Sequence, residues 1–203
     1  MRDTGFFQEI ISLICDNMEI IKLLFAVIGG FFALRQWNTQ IKHKRAETVK
    51  ELITKVRDDA DIASIMDVID WNEGIQYDGK FSVNPDYPKE ALKKISNDEL
   101  FKKIDKTLSH FSYICYLKAN KTLTKKDMSV FEYELRRIAD NRHTGNYLYS
   151  IYHWSKTLNV ECSFCYLIQY SLEKGYLAKD FKKRNSKKYT CYLRIPTARK
   201  QEI

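Results

Sequence analysis

The chain has 203 residues, 44% of them apolar and 30% charged, with a net charge of +8. That length holds one domain of ordinary size beside a short extra segment and leaves no room for a second. Five scattered cysteines, an odd number, exclude a disulfide framework and point to free thiols.

Residues 1–17 contain FFQEIISLIC, with Phe6, Ile10, Ile11 and Cys15 at helical spacing, which predicts a short amphipathic helix lying on the outer face of a membrane. The run from Met18 to Trp37 follows. Its uninterrupted part, Leu23 to Leu34, is 12 residues and rises about 18 Å, short of a hydrocarbon core of about 30 Å. Extending it to Met18 and Trp37, with Lys22 snorkelling and Trp37 at the interface, makes a single transmembrane helix. The alternative is a buried helix of a soluble bundle, as runs of this length often are.

Lys22, Ala26, Gly29, Ala33 and Gln36 fall on one small, polar face, and Leu24, Val27, Phe31 and Leu34 on a bulky one. Small residues four apart let membrane helices approach closely, so the first face is expected to pack between copies or line a lumen while the second meets lipid. Arg35, Lys42, Lys44 and Arg45 follow the helix and acidic residues precede it, which places the remainder in the cytoplasm.

From Trp37 the apolar pattern continues through Ile41, Leu52, Ile65 and Ile69 with no Gly or Pro, so the first helix is expected to run straight into a long second stretch. Asp78-Gly79 between alternating apolar residues predicts a hairpin over Ile75 to Val83, an assembly contact or a connector. A helix near Asn97 carries Leu100, Ile104, Leu108, Phe111 and Cys115 on one face. Thr124 to Asp127 is a capping box in acid form, opening a helix to about Arg142 that turns Met128, Phe131, Leu135 and Ile138 inward. An aromatic-rich helix is expected over Thr144 to Leu158, and a last one from Ser163 to Lys174, ended by Gly175.

Cys162 and Cys165 form a lone CxxC, which reads as packing cysteines before a metal site. No metal or other cofactor is expected. From Tyr176 onward, nine Lys or Arg stand against two acids, interleaved with Tyr176, Phe181, Tyr189 and Tyr192. Such a basic tail suits RNA, anionic headgroups or plain solvent. Tyr189 to Ile195 alternates weakly, as an edge strand would.

Arg136 and His143, seven residues apart with Arg137 and Asn141 beside them, resemble the Arg-x(4–6)-His motif of the HEPN superfamily, all-α domains frequent in defence ribonucleases. The resemblance implies a metal-independent cut in which histidine and arginine serve attack by the ribose 2′-hydroxyl. The stronger family pattern has a polar Asn, Asp or His after the arginine, where this chain has Arg137 or Ile138. That departure turns the expectation away from catalysis.

With its N-terminal apolar helix and small α-domain, the chain resembles the membrane accessory proteins encoded beside type VI-B RNA-targeting CRISPR effectors. The resemblance implies a homo-oligomeric pore of the bacterial inner membrane, single-pass, that strengthens antiphage defence beside an RNA-guided effector. The alternative is a membrane-tethered ribonuclease. The organisation expected is an outer-face segment and transmembrane helix over 1–37, an all-α HEPN-like bundle over 38–175 and a basic tail over 176–203.

Overall fold

The computed structural model describes residues 18–71 and 74–193, which are mostly helical with one small hairpin. The chain divides into two compact units, Met1–Thr48 and Val49–Ile203. The amphipathic segment expected over 1–17 and the end of the chain from 194 lie outside the described residues.

The first unit contains the beginning of helix α1 (Met18–Asp58). Among the described residues no helix is long and apolar enough to cross a membrane, so the transmembrane span and the inner-membrane placement expected from the sequence are corrected here. The physical reason lies in the flanks. Lys22 and Arg35 bound an apolar run of about 18 Å, and lengthening it to about 30 Å brings Glu19, Lys22, Arg35 and Gln36 into the span. The cytoplasmic orientation, which rested on that span, falls with it. Lys22, Ala26, Gly29, Ala33 and Gln36 are all exposed, as are Leu24, Val27, Phe31 and Leu34. A side chain added at Gly29 or Gly30 would meet nothing within 4 Å.

In the second unit α1 ends at Asp58 and α2 (Ala60–Asp70) starts afresh. Asp59 makes the break: its backbone is extended and its carboxylate accepts from the amides of Asp61 and Ile62. The uninterrupted stretch expected to Ile69 is thus two helices, divided by a polar cap and not by Gly or Pro.

The hairpin forms as the sequence predicts. Strands β1 (Ile75–Tyr77) and β2 (Phe81–Val83) pair antiparallel with Tyr77 opposite Phe81. Gly79 takes φ +107° in the turn, open to glycine at little cost. A short α3 (Glu90–Lys93) leads to α4 (Asn97–Ala119), capped by Ser96, whose hydroxyl accepts from the Glu99 amide. The five apolar residues read on one face of α4 are all buried.

The helix expected from Lys125 to Arg142 is divided in two, ahead of the separately expected aromatic-rich helix. α5 (Lys125–Met128) carries the capping box, with Thr124 and Asp127 bonded reciprocally. α6 (Glu132–Asp140) follows, and Asn141 turns extended (φ −63°, ψ 119°) before α7 (Arg142–Leu158). α8 (Cys165–Glu173) closes the series near Gly175, at φ +73°. α4 is central, packed against α2 and α8, and α6 lies against α2, α7 and α8. Ile62, Phe111, Leu135, Leu148, Leu167 and Phe181 meet in one core.

The stretch from Tyr176, expected to stand apart as a basic tail, is bound to α7 as far as Tyr192 and forms no strand there. Phe181 and Tyr189 are buried in the core. The Asn146 side-chain oxygen accepts from the Thr190 amide at 3.0 Å, and the Ser150 hydroxyl from the Tyr192 amide at 3.0 Å. Two polar residues buried on α7 thereby satisfy an extended segment that has no sheet to join.

Candidate functional site: an arginine cleft

α6 buries Leu135 and Ile138 and turns its other face outward, so Tyr133, Arg136, Arg137 and Asp140, at helical spacing, share the exposed side. The end of α2 and the start of α7 complete a cleft of about 660 Å³ whose lining includes Asp70, Tyr133, Arg136, Arg137, Asp140 and Arg142, with Trp71 and Asn141 beside them. The cleft is in the range of small-ligand sites.

Its cations differ in how far they are engaged. The Arg137 guanidinium donates to the Asp70 carbonyl at 2.6 Å, and its Nε lies 2.7 Å from the Asp70 carboxylate. It also stands 5.8 Å from the Tyr133 ring centre. Arg137 therefore ties α6 to α2. Arg136 pairs with Asp140 at 3.2 Å across one turn, a highly exposed pair of small energetic weight. Arg142 is exposed and makes no hydrogen bond or ion pair with the described residues. Three arginines against two aspartates leave one cation in surplus, and among the described residues Arg142 is the one with no carboxylate paired to it. Tyr133 is 61% exposed, so its ring offers an open face at the rim.

Asn141 and His143 take other parts. The Asn141 side-chain oxygen accepts from the amides of His143 and Thr144 at 3.1 and 3.0 Å, capping α7. Because the chain turns at Asn141, Arg136 and His143 do not share the face that one continuous helix would give them. His143 is absent from the cleft lining; its Nδ1 accepts from the Tyr77 backbone N–H at 2.9 Å, bonding α7 to the hairpin. With that lone pair occupied, the neutral ring carries its proton on Nε2 and can only donate there. Taking a proton from a ribose hydroxyl would require His143 to release the hairpin. A general base needs a free lone pair within reach of the proton, and the Nδ1 of His143 is already engaged by the hairpin.

Three of the described cysteines are held as thiols by burial. Cys115, Cys162, Cys165 and Cys191 are free; burial pushes the Cys115 thiol up to about 12 and also raises those of Cys162 and Cys165. Among the described residues no three His, Cys, Asp or Glu side chains gather where they could hold a metal ion.

Sequence reading singled out Arg136, Arg137, Asn141 and His143 but passed over Asp70, Trp71, Tyr133 and Arg142. The spacing of Tyr133 from Arg137, one turn away on the outward face, was the available signal for the tyrosine. Asp70 and Trp71 come from a different helix end and have none. No protein-family model matches the chain, and no match is found among the curated proteins or the solved structures.

Proposed function

We propose that this chain is an RNA-binding protein with a HEPN-like helical domain, which holds single-stranded RNA in the arginine cleft without cutting it. The observation that carries the reading is the convergence of Arg136, Arg137 and Arg142 beside the open ring of Tyr133. Guanidinium groups match phosphate oxygens with paired donors, and an exposed aromatic face stacks an unpaired base. Arg142 meets the phosphate first, since among the described residues it has no carboxylate to give up. Arg136 follows by exchanging its exposed Asp140 partner for the ligand. The exposed Lys182, Lys183, Arg184, Lys187 and Lys188 add charge that attracts the same polyanion. Phe181 and Tyr189 contribute no stacking, because they are buried.

The resemblance to accessory proteins of type VI-B systems supports a place for this binding beside an RNA-guided, RNA-targeting effector. The membrane span is not part of the reading.

Titrating a labelled single-stranded RNA at several salt concentrations tests it. Arg142→Ala should weaken binding and make log K against log salt shallower by about 0.7, the signature of one lost phosphate contact on a single strand. Tyr133→Ala should cost about 1–3 kcal/mol with the salt slope unchanged. Binding that is absent, or equally strong in both variants, would refute the cleft. Cleavage of the RNA that vanishes in His143→Ala would replace binding with the ribonuclease reading.

A further inference from the structure

The beginning of α1 carries apolar surface that none of the described residues of its own unit covers. Ile20, Leu24, Val27, Phe31, Leu34 and Ile41 are between 41% and 66% exposed. Single chains seldom leave contiguous apolar patches larger than a few hundred Å² uncovered, and a helix apolar around most of its girth is normally buried. The positions are also ordered. With Asn38 included, they follow one another at 4, 3, 4, 3, 4 and 3 residues, a heptad seam over three repeats. Leu24, Phe31 and Asn38 take the a positions, and Ile20, Val27, Leu34 and Ile41 the d positions. The next a position is Arg45, a charge that ends the seam just before the second unit starts at Val49.

We infer that this seam joins copies of the same chain in a parallel, in-register, four-stranded coiled coil. Three features choose this occupant. A 3.5-residue period is the signature of helices that wind around partners of the same kind, with each knob entering a hole of the facing helix. Ile20, Val27 and Ile41 make three of the four d positions β-branched beside Leu24 at a, a pattern that shifts preference beyond two strands, and the exposed Leu23 at g and Ile28 at e are covered only by the wider contact of a larger bundle. Asn38 is a single polar a residue with no hydrogen-bond partner among the described residues. In a parallel, in-register assembly the Asn38 amides of neighbouring copies meet at one level and bond to one another, fixing register. In an antiparallel pair Asn38 would face Ile20, and its amide would be unpaired.

The area is sufficient. Side chains of this size and exposure each have on the order of 100 Å² to lose, and the seam with the flanking Leu23 and Ile28 comes to roughly the 800 Å² per partner of a stable interface. Gln36 and Gly29 fall at f, on the far side. The bulky face first assigned to lipid thus meets other copies, and the small, polar face meets water.

The inference is independent of the RNA reading, which concerns the second unit. Sedimentation of the full chain in aqueous buffer should give a particle of four times 24.1 kDa. Phe31→Asp, placing a charge at the central a position, should give the single-chain mass, while Gln36→Glu at f should leave the assembly intact. On a Cys15→Ser background, Asn38→Cys should cross-link copies under mild oxidation. A monomer or dimer of the parent chain overturns the inference, as does a mass unmoved by Phe31→Asp. Failure of the Asn38→Cys cross-link overturns the parallel register. Near-ultraviolet circular dichroism of the Phe31→Asp chain, expected unchanged in its tyrosine signals, all of which come from the second unit, shows whether that unit is still folded.

Discussion

At the scale of single residues, His143 shows how a side chain named for chemistry is employed in structure. Its spacing from Arg136 was legible in the sequence; its bond to the Tyr77 amide, 66 positions away, was not. His143→Ala should destabilise the fold by about 1–3 kcal/mol, because a part-buried amide loses its acceptor, and should leave RNA affinity unchanged. Urea unfolding beside RNA titration measures both. An equal fall in affinity would return His143 to the binding site. Gly145 makes a second case. A Cβ there would stand 2.8 Å from the Tyr189 ring, itself held between α7 and the core. Gly145→Ala should therefore cost about 1–3 kcal/mol through overpacking, and a midpoint unchanged in urea would mean that the ring moves aside freely.

At the scale of elements, the decisive events are two helix breaks made by side-chain caps. Asp59 divides α1 from α2 and Asn141 divides α6 from α7, each by accepting two amides of the helix that follows. Such breaks are weakly signalled, since Asp and Asn also occur inside helices and only the tertiary path decides which one turns the chain. Asn141→Ala should lower stability by about 1 kcal/mol, as lost N-caps do, whereas Asn141→Asp or Asn141→Ser should retain most of it. Thermal unfolding distinguishes the three. In the first unit, Gly29 lies within a helix and its added Cβ would meet nothing. Gly29→Ala should then stabilise the helix by about 0.5–1 kcal/mol by restricting the unfolded chain. Reduced helicity in this variant would show that the site is covered in the assembled protein.

At the scale of the whole molecule, ion pairs join α2 to α4. Hydrogen bonds from Lys106 hold the Asp59 carboxyl below its ordinary 3.8, and those from Lys103, then Lys106, do the same for Asp61. A carboxyl depressed on folding favours the ionised native state, so its contribution is complete above the ordinary value and is lost as the pH falls through the lower native one. Acid unfolding should thus steepen below about pH 4. Replacing Lys103 and Lys106 together by Met should flatten that limb with little change in its shape above pH 5. An acid limb identical to that of the parent chain would show that these carboxyls do not govern it.

Local pattern alone determined much of the second unit. The face of α4, the capping box at Thr124, the hairpin at Asp78-Gly79 and the stop at Gly175 were legible because each depends on neighbours within a turn or two. The apolar run at Leu23 to Leu34 was equally plain, but its hydropathy did not say what covers it. Only tertiary structure decided where Arg136, Arg137, Arg142 and Asp70 meet, that His143 serves the hairpin, and that Phe181 and Tyr189 enter the core. These depend on contacts between residues distant in sequence, brought together by packing that no local period encodes. The HEPN-like spacing counted residues along one imagined helix, and the turn at Asn141 is where that count ceased to be a distance.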